Sequence, residues 1–181
     1  MFLLDGSSDV TEDDFRGSLR FVELMAKSFN VSSGDTNVAL VIYADDPQTI
    51  FDLNETLSIS DINHTISVVS FPNKANRNVG RGLTHISDSV IATKGRADVP
   101  KIVVVVQNLK SLDGIDVISL QIRSDGAKVI SIGHGDEIAI GQLKEMAFKP
   151  SELYVKDIGN DPIDSANFVL SVKESILSGK H

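Results

Sequence analysis

Asp5, Ser7 and Asp9 fall within the five-residue stretch Asp5-Gly6-Ser7-Ser8-Asp9, directly after the apolar run Phe2-Leu3-Leu4. An Asp-x-Ser at the end of a buried strand offers a carboxylate and a hydroxyl to a small hard cation, which takes oxygen ligands in near-octahedral array. The C-terminal ends of strands are also where an open α/β sheet holds its ligands. Other chemistries lack their partners. Phosphoryl-transferring hydrolases use a second carboxylate two residues after the first, and Ser7 occupies that position, so no acid/base group stands beside a nucleophile. Gly80-Arg81-Gly82 lacks the third glycine and the preceding strand of a dinucleotide-binding turn. Gly6-Ser7-Ser8-Asp9 lacks the flanking glycines of a nucleophile elbow. His64, His85, His134 and His181 show no metal-ligand spacing and read as surface or satisfied loop residues. With no cysteine in the chain, thiolate nucleophiles and cysteine-held zinc are excluded.

Composition sets the class in which such a site must sit. A chain of 181 residues, 41% hydrophobic and 23% charged, is long enough to bury a sizeable core as a single domain, residues 1–181. A formal charge of -8 opposes any partner whose affinity comes from neutralising phosphates, so nucleic acid is not expected. No apolar run has the length of a membrane span, and membrane insertion is not expected. Entry directly into a strand at Met1, with no signal peptide, reads as a domain excised from a longer multidomain chain. Three sequons, at Asn30, Asn54 and Asn63, exceed the roughly one that chance supplies and point to glycosylation in a secreted protein.

The elements that must position these residues alternate along the chain. Phe2 to Asp5 reads as a buried strand. Thr11 and Asp14 supply a helix start, and Phe15, Leu19, Val22, Met25 and Phe29 recur at helical spacing over about Glu12 to Ser28. Asn37 to Tyr43 reads as a strand, and Thr49-Ile50-Phe51, after the turn signal Asp45-Asp46-Pro47, as its antiparallel hairpin partner. Ser60-Asp61 is the expected cap of a short helix through Val68. Val79, Leu83, Ile86 and Val90 mark a further amphipathic helix, after a loop over Phe71 to Asn76. The unbroken run Ile102 to Val106 suits a central strand covered on both faces. A helix from about Gly114 to Arg123, a strand from Lys128 to Ile132, a helix from Ile138 to Met146 and a short strand at Leu153-Tyr154-Val155 follow. Asp161-Pro162 is the expected start of a last helix with Phe168, Val169, Val172 and Ile176 on one face. The order predicts a doubly wound, mostly parallel α/β sheet with helices on both faces and one antiparallel edge strand. In it Asp5, Ser7 and Asn108, which follow neighbouring central strands, converge on one rim, within reach of the loop before Val79.

This arrangement resembles the von Willebrand factor type A domain over essentially the whole chain. That family carries Asp-x-Ser-x-Ser after its first strand, a threonine before a central helix and an aspartate after its central strand, which together hold a divalent ion at an adhesion site. Here Asp5-Gly6-Ser7-Ser8-Asp9 matches the first motif with Asp9 at the last ligand. Arg77-Asn78-Val79-Gly80 resembles the threonine loop, with Arg77 at the ligand position. Val106-Gln107-Asn108-Leu109 resembles the end of the central strand, with Asn108 at the aspartate. The resemblance implies a degenerate adhesion-site rim of Asp5, Ser7, Asp9, Arg77 and Asn108, with no metal and no cofactor. A guanidinium beside Asp5 and Asp9 would supply the charge that a cation brings. The alternatives are that Arg77 points to solvent while Asp5, Ser7 and Asp9 cap backbone amides, or that a weak ion is retained with Asp9 as an added ligand. Two positive centres about 4 Å apart repel by about 4 kcal/mol at an effective dielectric of 20, so arginine and ion exclude one another. Phe-Leu-Leu-Asp-Gly-Ser at Phe2 to Ser7 and Asn-Val-Gly-Arg-Gly-Leu at Asn78 to Leu83 are most similar to the tandem A domains of collagen VI. That implies a secreted, non-catalytic extracellular-matrix module. Its partners would be neighbouring A domains, other collagen VI chains and other matrix proteins. The alternative is a metal-dependent receptor domain of integrin type, which requires the intact ligand set.

Overall fold

The computed structural model describes residues 1–29, 31, 35–54 and 57–178. Its central feature is a six-stranded sheet in the order β3-β2-β1-β4-β5-β6. The strands are β1 (Phe2–Asp5), β2 (Leu40–Tyr43), β3 (Gln48–Phe51), β4 (Ile102–Gln107), β5 (Lys128–Gly133) and β6 (Val155–Asp157). All neighbours run parallel except β2 and β3, which form an antiparallel hairpin with an irregularity between Leu40 and Val41. Strand order reverses between β1 and β4, so the crevice expected at such a reversal lies beside the C-terminal ends of these strands, at Asp5 and Asn108.

Alternation along each strand divides the core into two layers. Phe2, Leu4, Leu40, Ile42, Val104, Val106, Ile130 and Ile132 face one side, with Phe15, Leu19, Val22 and Met25 of α1 (Glu12–Ser28) and Val169 and Val172 of α8 (Ala166–Leu177). Ile62 and Ile66 of α2 (Ile59–Ser67) complete that layer. Leu3, Val41, Tyr43, Val103, Val105 and Val129 face the other side, under α3 (Val79–His85), α5 (Asp116–Ser124) and α6 (Ile140–Met146). Each fully buried Val, Leu or Ile contributes about 1.5–3 kcal/mol, and register is committed because a one-residue slip would exchange the two faces and mismatch the packing of both layers. α3 runs on through a π-helical stretch, Ile86–Ile91, into α4 (Ala92–Lys94), and Val79, Leu83, Ile86 and Val90 are all buried along it.

Four expectations are corrected. The cap of α2 is Ser58, not Ser60: its Oγ accepts from Asp61 N at 3.1 Å, and Asp61 Oδ2 accepts from Ser58 N at 2.8 Å, closing a reciprocal capping box. Leu153 and Tyr154 belong to a helical turn, α7 (Ser151–Tyr154), and β6 starts only at Val155. That turn sets the Tyr154 ring edge-on to Phe148 at 5.5 Å between centroids. The last helix is capped by Ser165, because Pro162 sits in the preceding turn, where its carbonyl accepts from Ser165 N at 3.1 Å. The strand expected from Asn37 begins at Leu40, since Asn37 turns its Nδ2 onto the carbonyl of Leu53 at 2.6 Å.

Candidate functional site

The rim begins with a backbone reversal at the end of β1. Gly6 allows it by close approach: a Cβ there would lie 2.7 Å from Ile42 Cγ2 and 2.9 Å from Pro72 Cγ. The segment 71–76 lies across this turn, with Ser8 N donating to Lys74 O at 2.7 Å and Lys74 N to Gly6 O at 3.4 Å. Beneath this strap Ser7 is wholly buried, with its side chain bearing on the Asp5 carboxyl.

Asp5 is also buried, and both of its oxygens are engaged from inside the protein. Oδ1 accepts from Ser7 N at 2.9 Å and Oδ2 from the Tyr43 hydroxyl at 3.0 Å. Tyr43 is the register partner of Asp5 across the β1–β2 ladder, which places the two side by side. Burial raises the Asp5 carboxyl above the usual aspartate range, against the opposing pull of the Ser7 and Tyr43 hydrogen bonds. Burial, followed by the charge of Asp5, pushes the Tyr43 hydroxyl well above its ordinary value, while the positive charge of Arg77 acts in the other direction.

Arg77 is tethered at both ends. Its carbonyl accepts from Leu112 N at 3.1 Å and lies 3.1 Å from Ser111 Oγ. Its Nε donates to the carbonyl of Lys110 at 2.7 Å, and its Nη1 donates to Asp9 Oδ2 in an ion pair. The two side chains are 20% and 29% exposed, so the pair is only partly screened by solvent. Asn108 is buried at the end of β4. Of the five rim residues singled out in the sequence, Arg77 and Asp9 are in direct contact and Asp5 and Ser7 are joined at the end of β1, while Asn108 has its Nδ2 beside Gly135.

A second set of residues holds this rim and was not singled out in the sequence. Asn78 stands at the N-cap of α3 but makes no side-chain cap. Asp113 supplies the cap from 33 residues away, with Oδ1 accepting from Gly80 N and Oδ2 from Arg81 N, both at 2.8 Å. Ser111 Oγ donates to Asp113 Oδ1 at 2.6 Å and accepts from Val79 N at 3.0 Å. The loop after β4 is thus clamped onto the start of α3. The clamp requires glycine at 80, where a Cβ would lie 2.2 Å from the carbonyl oxygen of Gly114. His134, read as a surface or loop residue, is buried at the end of β5, with Nδ1 unpartnered and Nε2 3.9 Å from Asp14 Oδ1.

A resident divalent cation does not fit this arrangement. Such an ion needs about six oxygen ligands, including charged ones. Here the Asp5 oxygens already accept two internal hydrogen bonds, Asp9 is paired with a guanidinium, and Asn108 is neutral. Of the sequons, Asn54 is exposed after β3, and Asn63 lies half-buried on α2 with its Oδ1 turned inward and unpartnered. Asn30 lies outside the described residues, as do Thr56 of the Asn54 sequon and His181. No helix among the described residues is long and apolar enough to cross a membrane.

Residues 1–162 match the family model described as the von Willebrand factor type A domain. The collagen alpha-1(XXI) chain of Xenopus laevis is 29% identical over 155 residues, covering 86% of this chain and 16% of the relative. Matrilin-1 of Gallus gallus is 27% identical over 152 residues, covering 83% of this chain and 30% of the relative. The chain thus spans less than a third of either relative. Among solved structures, proximal thread matrix protein 1 from the mussel byssus superposes with a TM-score of 0.85 at 24% identity, over 94% of this chain and 46% of that one.

Proposed function

This chain belongs to the von Willebrand factor type A domain family, and from that premise we propose that it is a secreted, non-enzymatic module of the extracellular matrix. In this reading it works within an array of similar modules, most like an N-terminal A domain of the collagen VI alpha-3 chain. It helps collagen VI assemble into microfibrils and contacts other matrix proteins through its surface. The relatives among collagens and matrilins support the matrix setting. The observation that carries the mechanism is the Arg77–Asp9 ion pair at the strand-order reversal, where the family's cation would stand. Recognition by such a rim proceeds by direct contact, without an ion bridging to a ligand carboxylate. Asp5, Ser7 and Asn108 then serve as internal supports of the rim. The reading is tested by flowing the purified domain over immobilised collagen VI microfibrils. Saturable binding that soluble microfibrils compete away is the expected result, and no binding above that to an unrelated fibril contradicts it.

A further inference from the structure

We propose that Arg77 is a built-in cation: its guanidinium has taken over the charge and anchoring role of a divalent ion, and the rim is thereby locked in one ion-free state. This rests on the family membership, and not on the assignment to collagen VI. Three observations converge on it.

The first is charge. Asp9, at the last position of the Asp-x-Ser-x-Asp turn, is bound by Arg77 Nη1, while Nε of the same guanidinium is fixed 2.7 Å from the Lys110 carbonyl. One planar cation thereby ties the turn after β1 to the loop after β4, the two segments that a shared ion would bridge. The second is the donor set. Asp5 is held in place from inside, Oδ1 by the Ser7 amide and Oδ2 by the Tyr43 hydroxyl, each oxygen keeping a second lone pair. With Asp9 paired to Arg77 and Asn108 neutral, however, it has no second free carboxylate to share an ion with. Tyr43 is itself tied into the sheet, its hydroxyl lying 3.1 Å from the Val106 carbonyl. The third is Ser7. It is wholly buried beneath the strap at 71–76, whose backbone bonds from Ser8 N to Lys74 O and from Lys74 N to Gly6 O close the turn after β1 over it.

The substitution is therefore reversible in principle. Arg77→Thr removes the resident charge and adds a hydroxyl, and Asn108→Asp adds the missing carboxylate, while Asp5, Ser7 and Asp9 stay as they are. The test is a manganese titration of the chelator-stripped domain, followed by calorimetry and by water-proton relaxation, on the parent and on the R77T/N108D pair. The parent is expected to show no binding up to about 10 mM and the double variant a dissociation constant of about 1 mM or tighter, at least a 10-fold gain. Parent binding tighter than about 1 mM that is lost in Asp5→Ala overturns the proposal. A folded double variant that binds no better than the parent overturns it as well. Should the double variant not fold by circular dichroism, R77T alone is read in the same way: a measurable gain over the parent supports the proposal, and none overturns it. Either manganese result leaves the microfibril experiment independent, so the two readings fail separately.

Discussion

Truncation of Asp113 to alanine tests whether the clamp between the loop after β4 and the start of α3 carries the weight assigned to it. The carboxylate accepts three hydrogen bonds, from Gly80 N and Arg81 N at 2.8 Å and from Ser111 Oγ at 2.6 Å. Loss of a helix N-cap costs about 1 kcal/mol, and loss of a negative charge at a helix N-terminus about 0.3–1 kcal/mol. Gly80 is buried, so its amide is left without a partner at a cost of about 1–3 kcal/mol, whereas the Arg81 amide recovers water. These contributions overlap, and the expected loss is about 2–3 kcal/mol. At about 2 kcal/mol per molar urea the unfolding midpoint falls by about 1–1.5 M. Asp113→Asn keeps one carbonyl acceptor and should lose about half as much. Urea unfolding followed by circular dichroism reads both. A loss below about 0.5 kcal/mol for Asp113→Ala would refute the reasoning, because the start of α3 would then be held by something other than this carboxylate.

Asp5→Asn tests the buried carboxyl by its pH dependence. Burial raises the native carboxyl above 3.8, so the native state holds this proton more tightly than the unfolded chain. Its contribution to stability is complete below 3.8 and is lost as pH rises through the raised native value. The asparagine variant carries no such loss, and its melting temperature relative to the parent should rise as pH increases above 3.8. A difference that stays flat, or falls, contradicts the assignment. Gly80→Ala should be strongly destabilising, since the added methyl meets the Gly114 backbone oxygen at 2.2 Å, and thermal unfolding reads it. An unchanged melting temperature would show that the two loops can part. Peptide mapping of the protein from mammalian cells is expected to find a glycan on exposed Asn54 and none on Asn63, whose Oδ1 points into the protein. Occupancy at Asn63 alone would reverse that choice.

Much of this molecule was legible where one periodicity dominates. β1, α1 and β4 follow from an apolar run, a 3.6-residue stripe and an unbroken β-branched run, and their topology alone brings Asp5, Ser7 and Asn108 to one end of the sheet. The family positions added Arg77, and the structure pairs it with Asp9. The hidden parts depend on contacts between distant segments. Tyr43 reads as one more apolar strand residue until the register sets it beside Asp5. Asn78 has the residue type of an N-cap, yet the cap comes from Asp113 across the loop, a choice no local pattern records. The π-helical turn at Ile86–Ile91 was equally out of reach, because Val79, Leu83, Ile86 and Val90 face inward whichever backbone bonds close between them. At α7 and the start of α8 the local signals competed: apolar Leu153-Tyr154-Val155 suits a strand, and Asp161-Pro162 suits a cap. Tertiary packing of Tyr154 and burial of Ile163 decided otherwise.

The most direct test of cation-free matrix recognition is the affinity of the domain for immobilised collagen VI microfibrils, measured in EDTA and again in excess magnesium or manganese. Equal affinity in all three conditions is the expected result, because on the proposed reading the Arg77–Asp9 pair takes the place of a bridging ion. Binding that disappears in EDTA and returns with the ion would contradict the account and make the rim a working cation site.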